Sequence, residues 1–138
     1  MNQIKKIEIK YMDCVLKLLK DISPYAPPKS TYRDNFLNFS SQENCHGYVI
    51  IEKDIVVAYG SIFYENKIRG GKVGHIEDIV VKKSHRGKNI GKMIIDFLIK
   101  QAYKNDCYKI SLECKESNIG FYESCGLMKN GVSMNKIL

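Results

Sequence analysis

Residues 74–103 read GHIEDIVVKKSHRGKNIGKMIIDFLIKQAY, and this stretch organises the rest of the chain. His75 to Val81 is rich in β-favouring side chains, whereas from Ile90 onward Ile90, Met93, Ile94, Phe97 and Leu98 recur at three- and four-residue spacing. The first pattern predicts a strand and the second a long helix. Between them His85-Arg86-Gly87-Lys88-Asn89-Ile90-Gly91 forms a basic, glycine-containing turn. A turn of this kind entering a helix exposes unpaired backbone N–H groups at a positive dipole end, a ready site for a phosphate or pyrophosphate.

Outward from this centre the elements alternate. Ile4, Ile7 and Ile9 sit in a run that can pair as a strand, and Met12 to Asp21 carries Val15, Leu16, Leu18 and Leu19 on a helical face, with Asp13 as its cap. All three prolines fall within Ser23–Pro28 and predict a stiff loop. Thr31 to Phe39 reads as a second helix capped by Thr31. Gly47–Glu52 and Ile55–Tyr64 are β-rich runs joined by Lys53-Asp54, a hairpin signal, and Asn66–Gly71 is a polar turn. After the long helix, Tyr108–Cys114 predicts a strand, Asn118–Ser124 a short helix stopped by Gly126, and Val132–Leu138 a final strand. The expected fold is α/β (α+β): one domain over residues 1–138, with a mixed, mostly antiparallel sheet flanked by helices and one crossover after the glycine turn.

Composition narrows the function classes. The 138 residues are 44% hydrophobic and 27% charged, ordinary values for a chain with one buried core. No apolar run reaches bilayer length and the first residues lack the apolar core of a signal peptide, so a cytoplasmic protein with no membrane partner is expected. Five cysteines without a CxxC pair, and three histidines, argue against a disulfide framework or a zinc site, and no metal is expected. The formal charge of +7 calls for an anionic partner. Its lysines are scattered and build no basic helix, which disfavours nucleic acid.

With Arg86-Gly87-Lys88-Asn89-Ile90-Gly91 in the turn, this order of elements resembles the GNAT superfamily of acyl-CoA N-acyltransferases. Their turn follows Gln/Arg-x-x-Gly-x-Gly/Ala, and its amides hold the pyrophosphate of coenzyme A. Asn89 stands where glycine is usual; asparagine tolerates a left-handed conformation better than most side chains, so Asn89 is expected to be either left-handed or compensated by a shifted turn. Three further blocks, Gly74–Val81 (GHIEDIVV), Asp106–Cys114 (DCYKISLEC) and Asn118–Gly126 (NIGFYESCG), resemble the glucosamine-6-phosphate N-acetyltransferase family in order and spacing.

The resemblance implies acetyl transfer from acetyl-CoA to the 2-amine of glucosamine 6-phosphate, a step toward UDP-N-acetylglucosamine, with no metal. It implies Glu113 as base and Tyr122 as acid. It assigns the cofactor to Ile79, Val80, Val81, Arg86, Gly87, Lys88, Asn89, Ile90, Gly91, Lys92 and Asn118. Substrate contacts would come from Glu77, Asp78 and Ile79, and also from Tyr108, Lys109, Lys67 and Arg69, with Tyr108 and Lys109 reaching across a homodimer. The family's C-terminal arginine has no clear counterpart, which leaves Lys136 or Lys20 to serve instead. On residue type alone Glu113 reads equally as a solvated strand-end charge and Tyr122 as a packing residue. Strict alternation would send Glu77 and Asp78 to opposite faces of their strand. Cys114 and Cys125 could carry an acyl group, but no histidine is spaced to activate them, so direct transfer is preferred. The alternatives are a GNAT enzyme for another amine and a non-catalytic acyl-CoA-binding module.

Overall fold

The computed structural model describes residues 2–138. Five strands, β1 (Asn2–Lys6), β2 (Cys45–Glu52), β3 (Ile55–Asn66), β4 (Lys72–Val81) and β5 (Lys109–Ser111), form one sheet in the order β1-β2-β3-β4-β5. Every neighbouring pair is antiparallel except β4 and β5, which run parallel because the long helix α3 (Ile90–Lys104) carries the chain back between them. The remaining helices are α1 (Met12–Leu19), α2 (Tyr32–Ser40) and α4 (Ile119–Ser124). The α/β fold expected from the sequence is the one formed.

The hairpin between β2 and β3 turns at Lys53 and Asp54, with φ of 48° and 64°. Two consecutive left-handed residues match the twist of the flanking strands, so the turn closes the pair directly.

Two apolar clusters cover the two faces of the sheet. On one, Ile90, Ile94, Ile95, Leu98 and Ala102 of α3 pack against Ile50, Ala58, Ile62, Tyr64 and Ile76. On the other, Val15 and Leu18 of α1 meet Val49, Ile51, Val56, Tyr59 and Val80, with Phe36 and Phe39 of α2 at the margin. The central strand β3 is therefore buried along most of its length. Each fully buried Val, Ile or Leu side chain among them contributes about 1.5–3 kcal/mol.

Several sequence expectations are corrected. Ile9 lies in a short 3₁₀ turn and is exposed, so the first strand ends at Lys6. Asp13 does not cap α1; it sits in the first turn, where its carboxylate accepts from Lys17 Nζ at 2.9 Å. Thr31 stands at the N-cap of α2, but its hydroxyl donates to the Pro28 carbonyl at 2.7 Å instead of bonding a helix amide. The strand expected over Tyr108–Cys114 is cut to Lys109–Ser111. No strand forms at Val132–Leu138: Val132, Met134, Ile137 and Leu138 are almost fully exposed and have no strand to pair with, so their β propensity finds no ladder.

Leu98 is fully buried at the centre of the α3 face. Leu98→Ala is expected to cost about 2–5 kcal/mol, read as a lower urea midpoint with an unchanged slope.

Candidate active site

The site begins where β4 stops behaving as a regular strand. On the β3 side, Tyr59 pairs with Val80 and Ser61 with Glu77, so Gly60 alone faces the two residues Asp78 and Ile79. This is a β-bulge, and Asp78 takes the extra position with φ of 55°. A Cβ on Gly60 would stand 2.6 Å from Ile79 Cδ1, so the absence of a side chain there lets Ile79 pack close against β3.

On the β5 side the ladder is short. Val73 pairs with Lys109, Gly74 with Ile110 and His75 with Ser111, and there it ends. From Ile76 to Val81 the outer edge of β4 has no ladder partner, and the chain after Ser111 leaves the sheet. A cleft of about 910 Å³ occupies the wedge. Its walls include Glu77–Val81 from β4, Leu112–Lys115 beyond β5, Asn118, Phe121 and Tyr122 around α4, and Arg86, Gly87 and Asn89–Lys92 from the turn.

The bulge overturns the opposite-face expectation for the paired carboxylates. The inserted residue breaks the two-residue period, and both Glu77 and Asp78 line the cleft. Burial lifts the Glu77 carboxyl above its ordinary range, the nearby Asp78 and Glu113 charges add to the lift, and His75 opposes it. Burial raises Asp78 as well. Three acids thus crowd one end of the cleft, an arrangement that attracts a cationic amine and can take a proton from it. Tyr122 is half-buried at the same end, its phenol raised by burial and by the Cys114 and Cys125 thiols beside it. A raised phenol keeps its proton until a stronger base arrives, as a general acid must.

The other end is basic. Gly87 and Asn89 are both left-handed, Asn89 with φ of 62° and ψ of 12°, and α3 starts at the next residue. The asparagine therefore adopts the backbone that glycine adopts more freely. A Cβ on Gly91 would lie 3.1 Å from the Phe121 ring, so this glycine lets α4 dock on the first turn of α3. The first amides of α3 have no partner within the helix and open toward the cleft. Side chains from distant segments hold the turn: Glu52 bonds His85 Nε2 at 2.7 Å, and Asp21 accepts from Arg86 Nη2 at 3.0 Å.

The cleft thus gathers Glu113, Tyr122, Glu77, Asp78, Ile79, Val80, Val81, Arg86, Gly87, Asn89, Ile90, Gly91, Lys92 and Asn118. Lys88 does not line it, and neither do Tyr108, Lys109, Lys67 and Arg69. Lys109 pairs with Val73, four residues before Glu77, which is roughly 13 Å away along a strand. Lys67 is engaged by Glu65 at 3.0 Å, and Lys109 Nζ stands over the Tyr108 ring. Sequence reasoning missed Asp21, Ile22 and Ser133, which reach the cleft from the end of α1 and from the C-terminal segment. Their local sequence carries no signal for it; only the packing of α1 across the sheet brings Asp21 to the turn. Among the described residues no cluster of three His, Cys, Asp or Glu side chains could hold a metal, and no helix is long and apolar enough to cross a membrane.

A profile of the acetyltransferase (GNAT) family matches residues 12–127, which includes the bulge, the basic turn and α4. The chain belongs to this acetyltransferase family. Among GNAT relatives, the Candida albicans protein named glucosamine 6-phosphate N-acetyltransferase is 43% identical over 123 residues, covering 86% of this chain and 81% of its own. Glucosamine 6-phosphate N-acetyltransferase 1 of Dictyostelium discoideum is 37% identical over 131 residues, covering 91% and 80%. The crystal structure of glucosamine-6-phosphate N-acetyltransferase from Arabidopsis thaliana superposes with a TM-score of 0.89 at 32% identity, over 99% of this chain and 98% of that one. The GNAT fold and the acyltransferase class expected from the sequence are therefore both met.

Since the folded protein holds Glu77 more readily protonated than an unfolded chain would, the native state binds more protons just above the ordinary carboxylate range. Stability is then lost as pH rises through that range. Glu77→Gln is expected to raise Tm at pH 7, with the gain shrinking at pH 4, in thermal melts at the two values.

Proposed function

We propose that this GNAT enzyme transfers the acetyl group of acetyl-CoA to the 2-amine of D-glucosamine 6-phosphate, releasing N-acetyl-D-glucosamine 6-phosphate and CoA. The observation that carries the reading is the two-ended cleft, with three carboxylates and Tyr122 at one end and the basic turn at the other. The names of the relatives in Candida, Dictyostelium and Arabidopsis point to the same acceptor. The product feeds UDP-N-acetylglucosamine synthesis.

In this mechanism the turn amides of residues 87–92, with Arg86 and Lys92, bind the cofactor's pyrophosphate, and Asn118 borders the same end. The unpaired edge of β4 at Ile79, Val80 and Val81 takes up the pantetheine arm and offers an amide to the developing oxyanion, a contribution typically of about 10²–10³-fold. Glu77 and Asp78 hold the amino sugar. Glu113 accepts the proton of the amine as its nitrogen bonds to the thioester carbonyl carbon. The carbon–sulfur bond then breaks, and the departing thiolate takes the proton of Tyr122. Transfer is direct; Cys114 and Cys125 carry no acyl group.

The working form proposed is a homodimer of single-domain chains spanning residues 1–138, active in the cytoplasm. Tyr108 and Lys109 stand exposed and outside their own chain's cleft, where a second copy would receive them. The C-terminal segment supports this, since Met128, Val132, Met134, Ile137 and Leu138 are each at least 85% exposed, more apolar surface than an isolated monomer favours. Lys109 supplies the cation for the sugar phosphate, with Lys67 and Arg69 on the neighbouring turn.

Incubation with acetyl-CoA and glucosamine 6-phosphate, followed by titration of free thiol, is expected to show turnover that polyamines, amino acids and peptide N-termini do not match. No turnover above background from folded protein, or faster turnover with another amine, would sink the substrate assignment. Tyr122→Phe is expected to lower kcat by about 10²-fold while acetyl-CoA still binds, because one proton and almost no surface is removed. Lys109→Ala should instead raise the KM for the sugar phosphate by about ten-fold, the size of one charge-assisted contact, with kcat little changed. Co-expression of Lys109→Ala with a Tyr122→Phe chain should recover activity if Lys109 acts across the dimer.

A further inference from the structure

Asp21 lies two residues beyond α1 and is, among the described residues, the one carboxylate lining the phosphate end of the cleft; the other three acids in its walls, Glu77, Asp78 and Glu113, belong to the transfer end. Its two oxygens are divided between two cations of the turn. Oδ2 accepts from Arg86 Nη2 at 3.0 Å, and Oδ1 lies 3.6 Å from Lys83 Nζ. Arg86 is further fixed by its Nε, which donates to the Val81 carbonyl at 3.2 Å. The guanidinium is thus oriented from two directions, and Arg86, which lines the cleft, already holds an anion.

A pyrophosphate entering this end meets a carboxylate on Arg86, the one of the two cations that lines the cleft. The Asp21 side chain keeps about a quarter of its exposure and those of Arg86 and Lys83 half or more, so water can replace the contact at small cost. Ion pairs of this kind are worth at most about 1 kcal/mol, less than a pyrophosphate gains from Arg86 and the helix amides together. The balance therefore favours exchange over permanent pairing.

We propose that Asp21 is an internal counter-ion of the cofactor turn, engaging Arg86 and Lys83 in the free protein and giving up Arg86 to the pyrophosphate of coenzyme A. This rests on the reading that the turn binds coenzyme A. In the free enzyme the carboxylate keeps Arg86 extended and ready. In the complex it repels the bound phosphates, which weakens the hold on product CoA and hastens its departure. Asp21 is a positioning residue in this scheme and takes no part in bond making. Because Asp21 lies between α1 and the proline-containing segment, cofactor binding also releases the tie between the turn and that segment.

The test is calorimetric titration of the intact protein with CoA, comparing the natural chain with Asp21→Asn, whose side chain has the same shape without the charge. The expected result is a Kd about five-fold lower in the variant at low salt, with a matching fall in the product-inhibition constant of CoA. The gain should shrink between ~50 mM and ~500 mM salt and in an Arg86→Gln background, neither of which a packing effect of Asp21 would produce. Unchanged or weaker CoA binding in Asp21→Asn overturns the proposal and leaves Asp21 as a simple support for Arg86. Absence of CoA binding in both proteins overturns the cofactor reading as well, so the two failures are distinguishable.

Discussion

The active cleft depends on β4 losing its neighbour. β4 and β5 share three ladder pairs and then part, while β4 continues along β3 through the bulge at Asp78 and Ile79. Backbone groups that a regular parallel sheet would consume are left facing solvent. Such an edge is a liability in a structural sheet and an asset where an extended ligand can complete it. The separation is stabilised from both sides: the bulge bends β4 against Gly60, onto which Ile79 packs, and α4 fills the far wall by seating Phe121 on Gly91. Asp78, forced into a left-handed backbone by the same bulge, is also one of the acids of the site.

Charge is sorted along this cleft. The net charge of +7 is not spread evenly around it: one end gathers Glu77, Asp78 and Glu113, and the other Arg86, Lys92 and the open N-terminus of α3. Crowding acids in a half-buried place raises their affinity for protons and costs stability, which the two apolar clusters on either face of the sheet offset. The basic end is held by longer reach, with Glu52 at the end of β2 gripping His85 and Asp21 at the end of α1 gripping Arg86. Both ties come from segments far from the turn in sequence, so the basic end is preorganised by the fold as a whole.

Legibility followed the range of the forces involved. The left-handed pair Lys53-Asp54, the left-handed Asn89 and the helical face from Ile90 to Leu98 all arise from preferences within a few residues, and each was readable along the chain. Where a second element intervenes, local reading failed. Alternation put Glu77 and Asp78 on opposite faces, because the bulge that realigns them is a property of the β3–β4 pairing. A strand at Val132–Leu138 was expected from β propensity, yet a strand exists only where another strand offers a ladder.

By itself, then, the sequence determined the α/β class, the order of elements, the phosphate-type turn and, through resemblance, the membership in the GNAT family. These follow from backbone propensity, apolar period and motif spacing, which act or recur over short stretches of chain. Only the tertiary structure decided that β4 and β5 diverge, that three carboxylates and Tyr122 share one end of the cleft, and that Asp21 reaches Arg86. It also showed that Lys109, Tyr108, Lys67 and Arg69 lie outside their own chain's cleft. The physical reason is that strand register, bulge position and the docking of α1 are set by packing between segments tens of residues apart, and no local preference encodes that packing.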